Sequence, residues 1–124
     1  MTAFGKELII DLHNCAGLPT TRDELRRFFK RLCDEVLDME RADLHFWDYE
    51  DDPEGYDAAA DHLKGISACQ FISTSNIVIH TVDVQKKVFL NVFSCKNFEG
   101  TKVIEFAKDW FRGELVGSHI LPRL

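Results

Sequence analysis

No stretch of this chain approaches the roughly 20 consecutive apolar residues that a membrane-spanning helix requires, so no membrane partner is expected. Positive charge is in short supply. Fifteen Lys and Arg against 21 Asp and Glu leave a formal charge of −6, which argues against nucleic acid or an anionic lipid surface as a main partner. None of the four cysteines, Cys15, Cys33, Cys69 and Cys95, forms a CxxC pair, so neither a dithiol redox motif nor a cysteine zinc site is indicated. His13 and Cys15 stand at ligand spacing, but no second pair completes a metal site. The opening MTAFGKELII lacks the basic-then-apolar layout of a secretory signal, so a cytoplasmic address with reduced thiols is expected.

What is present is apolar and aromatic. A hydrophobic share of 45% and ten Phe in 124 residues are enough for one core, and the chain reads as one domain over 1–124. KELIIDL (6–12) reads as a strand, broken by Gly17 and Pro19. Thr21 is placed to cap a helix, with Glu24 completing a capping box, and Leu25, Phe28, Phe29, Leu32, Cys33 and Val36 continue it at helical spacing over 22–38. ADLHFWD (42–48) is a strand. The acidic segment 49–64, with Pro53 and Gly55, reads as a loop with one short helical turn.

Three strands follow in close succession, SACQFIST, NIVIHTV and KVFLNVFS, the last two joined by the hairpin loop VDVQKK. Thr101 is placed to cap a second amphipathic helix carrying Val103, Ile104, Phe106, Ala107, Trp110 and Phe111. Gly113 is placed to stop it, and LVGSHIL closes the chain as a strand. The order β-α-β-β-β-β-α-β predicts an α+β fold: a two-layer α/β sandwich with a mostly antiparallel sheet and two helices on one face.

Four pieces of this sequence, taken together, carry more than any one residue. GKELIIDLHNC opens the chain, and GIS (65–67) precedes Ser75 by a fixed interval. Ser-Thr-Ser-Asn-Ile-Val-Ile-His-Thr spans 73–81, and VFSC ends at Cys95. In that order and spacing they resemble the small prokaryotic S-adenosylmethionine decarboxylases, a pyruvoyl-dependent, self-processing family. The resemblance runs over nearly the whole chain. It implies cleavage between Thr74 and Ser75, with Ser75 becoming the pyruvoyl group that forms a Schiff base with the substrate. Ser67 and His80 would serve the cleavage, and Cys95 would protonate the product carbon. It also implies a homodimer with active sites near the interface, a small-molecule substrate of polyamine biosynthesis, and neither metal nor pyridoxal phosphate.

The chemistry suits these residue types. A serine hydroxyl that attacks the preceding carbonyl exchanges an amide for an ester, and β-elimination then splits the chain. A thiol of ordinary pKa, ~8.5, serves as a general acid at neutral pH. One conflict follows from strand parity. Ser75 and His80 are an odd number of residues apart and face opposite sides of a regular strand, so a sharp bend or bulge is expected near residue 75.

Three departures from the family pattern bear on the substrate. Thr74 stands where the family carries Glu, and Val82-Asp83-Val84 follow the His-Thr pair where it carries Trp-Pro-Glu. The acidic segment 49–64 is long for its place. Phe46 and Trp47 remain as aromatic candidates for stacking on a nucleoside. The expected substrate is S-adenosylmethionine, with L-ornithine or L-arginine as the alternative. An unprocessed, non-catalytic regulatory paralogue is the competing class.

Overall fold

A computed structural model describes residues 2–124. Six strands, β1 (Gly5–His13), β2 (Arg41–Trp47), β3 (Gly65–Ile72), β4 (Ser75–Val82), β5 (Lys87–Ser94) and β6 (Glu114–Arg123), form one sheet in the order β2-β3-β4-β5-β1-β6. Every neighbouring pair is antiparallel. Strand alternation sends Leu8, Ile10 and Leu12, Ile77 and Ile79, and Val88, Leu90 and Val92 to one face, where all are fully buried.

Helices α1 (Arg22–Arg31) and α3 (Gly100–Phe111) cover that face. They contribute Leu25, Phe28, Phe29, Val103, Ala107 and Phe111 to the core. Phe28 is the hub, with the rings of Phe29, Phe106, Trp110 and Phe111 centred 5.1–5.7 Å away. Burying each such side chain contributes about 1.5–3 kcal/mol. Helices α1 and α3 leave the other face of the sheet uncovered, and its side chains on β3, β4 and β5 are mostly half-exposed. The two-layer sandwich with two helices on one face is as the sequence predicts. Among the described residues, no helix is long and apolar enough to cross a membrane.

Local differences have local causes. The helix predicted over 22–38 is α-helical only to Arg31, and Leu32–Leu37 winds as a π-helix that ends at Asp38 with φ 52°. The i to i+5 repeat brings residues five apart onto one side, which keeps both Leu32 and Leu37 in the core. Thr21 caps α1 by accepting the Glu24 N–H at 3.1 Å. Thr101, expected to cap α3, lies inside its first turn, and the backbone carbonyl of Glu99 receives the Lys102 and Val103 N–H groups instead. The left-handed residue that ends α3 is Arg112 (φ 49°), not Gly113. Gly113 is needed for space, because a Cβ there would lie 2.6 Å from Cys15 Sγ.

Segment 49–64 is more ordered than the expected loop. It holds α2 (Pro53–Ala58), capped by the Asp52 carboxylate accepting the Gly55 N–H at 3.0 Å, and a 3-10 turn over Asp61–Leu63.

Candidate active site

Ser75 is the first residue of β4, and the pairing of that strand decides where its side chain points. Residues 75–82 pair with β3, and 76–82 with β5, without a register shift. Ser75, Ile77, Ile79 and Thr81 therefore turn toward the helices and are buried, while His80 is exposed on the uncovered face. Of the bend or bulge expected near residue 75, the bulge is absent, because both neighbours hold β4 in register, and the bend is present. The irregularity sits one residue earlier. A two-residue turn, Ser73-Thr74, joins the paired residues Ile72 and Ser75, and Thr74 has φ 60°. A β-branched residue is an outlier in that left-handed region.

The parity conflict thus stands. Five residues at ~3.3 Å each separate Ser75 and His80 by roughly 16 Å along the strand, on opposite faces. The candidate residues fall into two groups.

The first group is at the tip of the β3–β4 hairpin. The Cys95 N–H donates to Ser75 Oγ at 3.3 Å, and the Ser75 hydroxyl lies 4.0 Å from Cys95 Sγ. Thr74 Oγ1 is 3.0 Å from the same sulfur and also donates to the Ser73 carbonyl at 2.7 Å. The turn that carries Cys95 is fastened on its far side. The Lys96 N–H donates to Ser94 Oγ at 3.0 Å, and Lys96 Nζ donates to the Asp38 carbonyl at 2.5 Å. Chiefly the Thr74 hydroxyl, with help from that of Ser75, holds the exposed Cys95 thiol below its ordinary pKa. Burial acts the opposite way on the core thiols and pushes Cys15 and Cys33 up to about 11. A hollow of about 320 Å³ opens beside Cys95, lined by Phe4, Lys6, Ser94, Ile120 and Pro122 among others.

The second group lies on the uncovered face. Ser67 and His80 are directly opposite across β3 and β4, and Ser67 Oγ is 2.8 Å from His80 Nδ1. Trp47 pairs with Ser67 from the other side and is 63% exposed. From Trp47 a line of rings continues through Tyr49 to Tyr56 at 5.4 and 6.0 Å. Tyr56 donates its hydroxyl to Asp83 at 2.9 Å. The other oxygen of Asp83 is buried without a partner, and burial raises the pKa of that carboxyl. Burial, then Asp83 itself, pushes Tyr56 up to about 12.

A second hollow of about 390 Å³ lies beside Tyr56 and Asp83, bounded on the helix side by Thr20, Arg22, Asp48 and Ile66, with Glu50 on its wall. Arg22 grips Asp48 through two bonds of 2.6 Å and also reaches Glu50. The guanidinium hydrogen bond holds the Asp48 carboxyl below the usual carboxylate range.

Phe46 and Trp47 are each candidates for stacking by sequence, and alternation sends them to opposite faces. Phe46 opposes Ala68 on the helix side, beneath the guanidinium groups of Arg22 and Arg26 at 5.8 and 5.3 Å. Two features of the site are not signalled by sequence pattern. The approach of Thr74 to Cys95 depends on the exact turn, and the Asp83–Tyr56 pair bridges residues 27 apart. Only the β-branched residue before the serine hints at the first, and nothing in the sequence points to the second. Among the described residues, no group of three or more His, Cys, Asp or Glu is placed to hold a metal ion.

Comparison with known proteins places this geometry in context. The family model described as S-adenosylmethionine decarboxylase matches residues 6–124. The crystal structure of the adenosylmethionine decarboxylase from Aquifex aeolicus VF5 has the same fold, with a TM-score of 0.76 at 13% sequence identity over 99% of this chain and 92% of that one. No curated protein matches the sequence.

Proposed function

The chain belongs to the S-adenosylmethionine decarboxylase family, and from that premise we propose that it is a self-processing, pyruvoyl-dependent decarboxylase acting on S-adenosylmethionine. The observation that carries this reading is the arrangement at the hairpin tip: Ser75 Oγ beside Cys95, directly after a residue held at positive φ. The residues fit formation of the group. Ser75 Oγ is held by one backbone N–H, and the bond to be broken follows Thr74, whose left-handed backbone stores strain of about 1–3 kcal/mol. Attack by Ser75 Oγ on the Thr74 carbonyl carbon gives an ester and frees the Ser75 amine. Removal of the Ser75 Cα proton then expels the Thr74 carboxylate and splits the chain, and water hydrolyses the dehydroalanine left at residue 75, releasing ammonia and leaving the pyruvoyl group.

Once formed, a pyruvoyl group supplies a ketone carbon for the substrate amine and a sink for electrons as CO₂ leaves. The remaining work falls to this chain's own side chains. Cys95 Sγ stands next to the reaction centre, placed to pass a proton to the product carbon, and the hollow beside it lies open to the substrate. Trp47, beside Ser67 on the uncovered face, offers its exposed ring for stacking in the site of a second copy.

Ser67 and His80 are roughly 16 Å from Ser75 of the same chain and on the other face of the sheet. In this reading they complete the site of a second copy, so the working unit is a homodimer with two composite sites. Mixing tests this directly. His80→Ala alone stays uncleaved, and co-expression with Ser75→Ala restores cleavage of the His80→Ala chain. Absence of cleavage in the mixed dimers contradicts the composite site.

A second reading has its own observation. Val82 removes the family's aromatic after the His-Thr pair, while Asp83, with one carboxylate oxygen buried without a partner, lines the hollow beside Tyr56. This combination suits the side chain of L-ornithine or L-arginine. CO₂ release measured in parallel with the three substrates separates the readings. The first expects S-adenosylmethionine to be turned over fastest, and faster release from either amino acid replaces it with the second.

A further inference from the structure

Self-cleavage needs a base for the Ser75 hydroxyl, and the roles implied by the family resemblance assign none. In the chain itself, two features lie against that oxygen. The Cys95 N–H donates to it at 3.3 Å, and the Cys95 sulfur lies 4.0 Å away as the acceptor of its hydroxyl. With the amide on one lone pair of Oγ and the O–H directed to sulfur, the other lone pair of Oγ is unengaged. The sulfur is not free to drift. Thr74 Oγ1 touches it at 3.0 Å, and Ser94, Lys96 and Asp38 fasten the turn behind it.

We propose that the Cys95 thiolate, oriented by the Thr74 hydroxyl, is the base that removes the Ser75 hydroxyl proton in the first step of self-cleavage. The proposal rests on the self-processing reading and adds a residue role to it. In the step, the Ser75 O–H proton moves to Cys95 Sγ as the Oγ–C bond to Thr74 forms. The C–N bond between Thr74 and Ser75 then breaks, and the thiol returns the same proton to the departing Ser75 nitrogen. No oxidant or outside reactant is needed, and the thiolate is regenerated. Cys95 touches the reacting oxygen and is catalytic here. Thr74 acts through Cys95 and is a positioning residue. Its hydroxyl carries one proton with two acceptors in reach, the Ser73 carbonyl and the sulfur, and it stabilises the thiolate when it turns to the sulfur. The lowered pKa of Cys95 agrees with this arrangement.

Hydroxylamine separates the two halves of self-cleavage, because it cuts an ester after Thr74 and leaves an amide intact. Purified full-length precursors are followed by intact mass with and without hydroxylamine. For His80→Ala, the ester forms and persists, and hydroxylamine cuts the chain. Expected for Cys95→Ala and Cys95→Ser is ester formation slowed by about 100-fold or more, with no cut by hydroxylamine on the same timescale. Thr74→Val keeps the branched side chain and removes the hydroxyl, so ester formation slows by about tenfold, and Thr74→Ser recovers it. Circular dichroism and melting temperature show that each precursor is folded, and Cys95 is an exposed residue whose replacement leaves the core intact.

Wild-type rates of cutting in Cys95→Ala overturn the proposal, as do equal rates for Thr74→Val and wild type. If wild type stays uncut and His80→Ala is also resistant to hydroxylamine, the self-processing reading fails and takes the proposal with it.

Discussion

Replacing Thr74 by Gly tests whether the turn before Ser75 is strained. A residue with a Cβ pays about 1–2 kcal/mol in the left-handed region, and Thr74 sits there at φ 60°. Glycine removes that cost and adds about 0.5–1 kcal/mol through its more flexible unfolded chain. The net expectation is a precursor more stable by about 0.5–1 kcal/mol. The Thr74 hydroxyl, which the exchange removes, bonds at an exposed position, so its removal subtracts little. The comparison is made in a Ser75→Ala background, so that cleavage cannot intervene. For a domain of this size, the gain raises the melting temperature by roughly 2–5 °C. Calorimetry of Ser75→Ala against Thr74→Gly/Ser75→Ala measures it. With Ser75 present, Thr74→Gly cleaves more slowly than Thr74→Val, since both lack the hydroxyl and only Val keeps the strain. A melting temperature that falls, together with cleavage no slower than in Thr74→Val, refutes the claim that this turn stores energy used in attack.

Further expectations concern buried charge and the thiols. Burial raises the folded pKa of Asp83 above its unfolded value, so its protonated form favours the fold at acid pH and that advantage disappears as pH rises through the folded pKa. Asp83→Asn is therefore expected to raise the melting temperature at neutral pH, with the gap to wild type closing as pH falls through the carboxylate range. A gap that widens toward acid contradicts the assignment. For Asp48 the sign is reversed. Its pKa is depressed by Arg22, so the pair stabilises above the unfolded carboxylate pKa, and Asp48→Asn lowers the melting temperature at neutral pH but not in strong acid. In alkylation with iodoacetamide near neutral pH, Cys95 is expected to react first, while Cys15 and Cys33 stay unmodified until the chain unfolds. Peptide mapping checks the order, and early labelling of Cys33 contradicts it.

Much of this arrangement was legible in the residues, and the exceptions have physical reasons. Apolar alternation in KVFLNVFS and NIVIHTV marks strands whose inner faces are closed by helices, and period-two burial is a strong local signal. The first helix start was equally legible, because Thr21 caps it through a local bond. Its end was not, since the π turn that keeps Leu37 in the core answers to packing rather than propensity. Gly113 misled in the same way, with its smallness making room for Cys15 rather than stopping a helix. At the candidate site, strand parity correctly foretold that Ser75 and His80 oppose each other. Of the two remedies expected, the bulge was ruled out by pairing on both sides, and the sharp bend is present at Thr74, just outside the strand. The Arg22–Asp48 and Tyr56–Asp83 pairs join residues 26 and 27 apart, and only the folded sheet brings them together.

The central claim is that Ser75 converts this chain into two. Intact mass of freshly purified protein under denaturing conditions tests it most directly. Self-processing predicts that the 14.3 kDa chain is replaced by two fragments, 1–74 and a chain beginning at a pyruvoyl-bearing residue 75, and that Ser75→Ala retains a single full-length mass. A wild-type chain that keeps its full-length mass through prolonged incubation contradicts it.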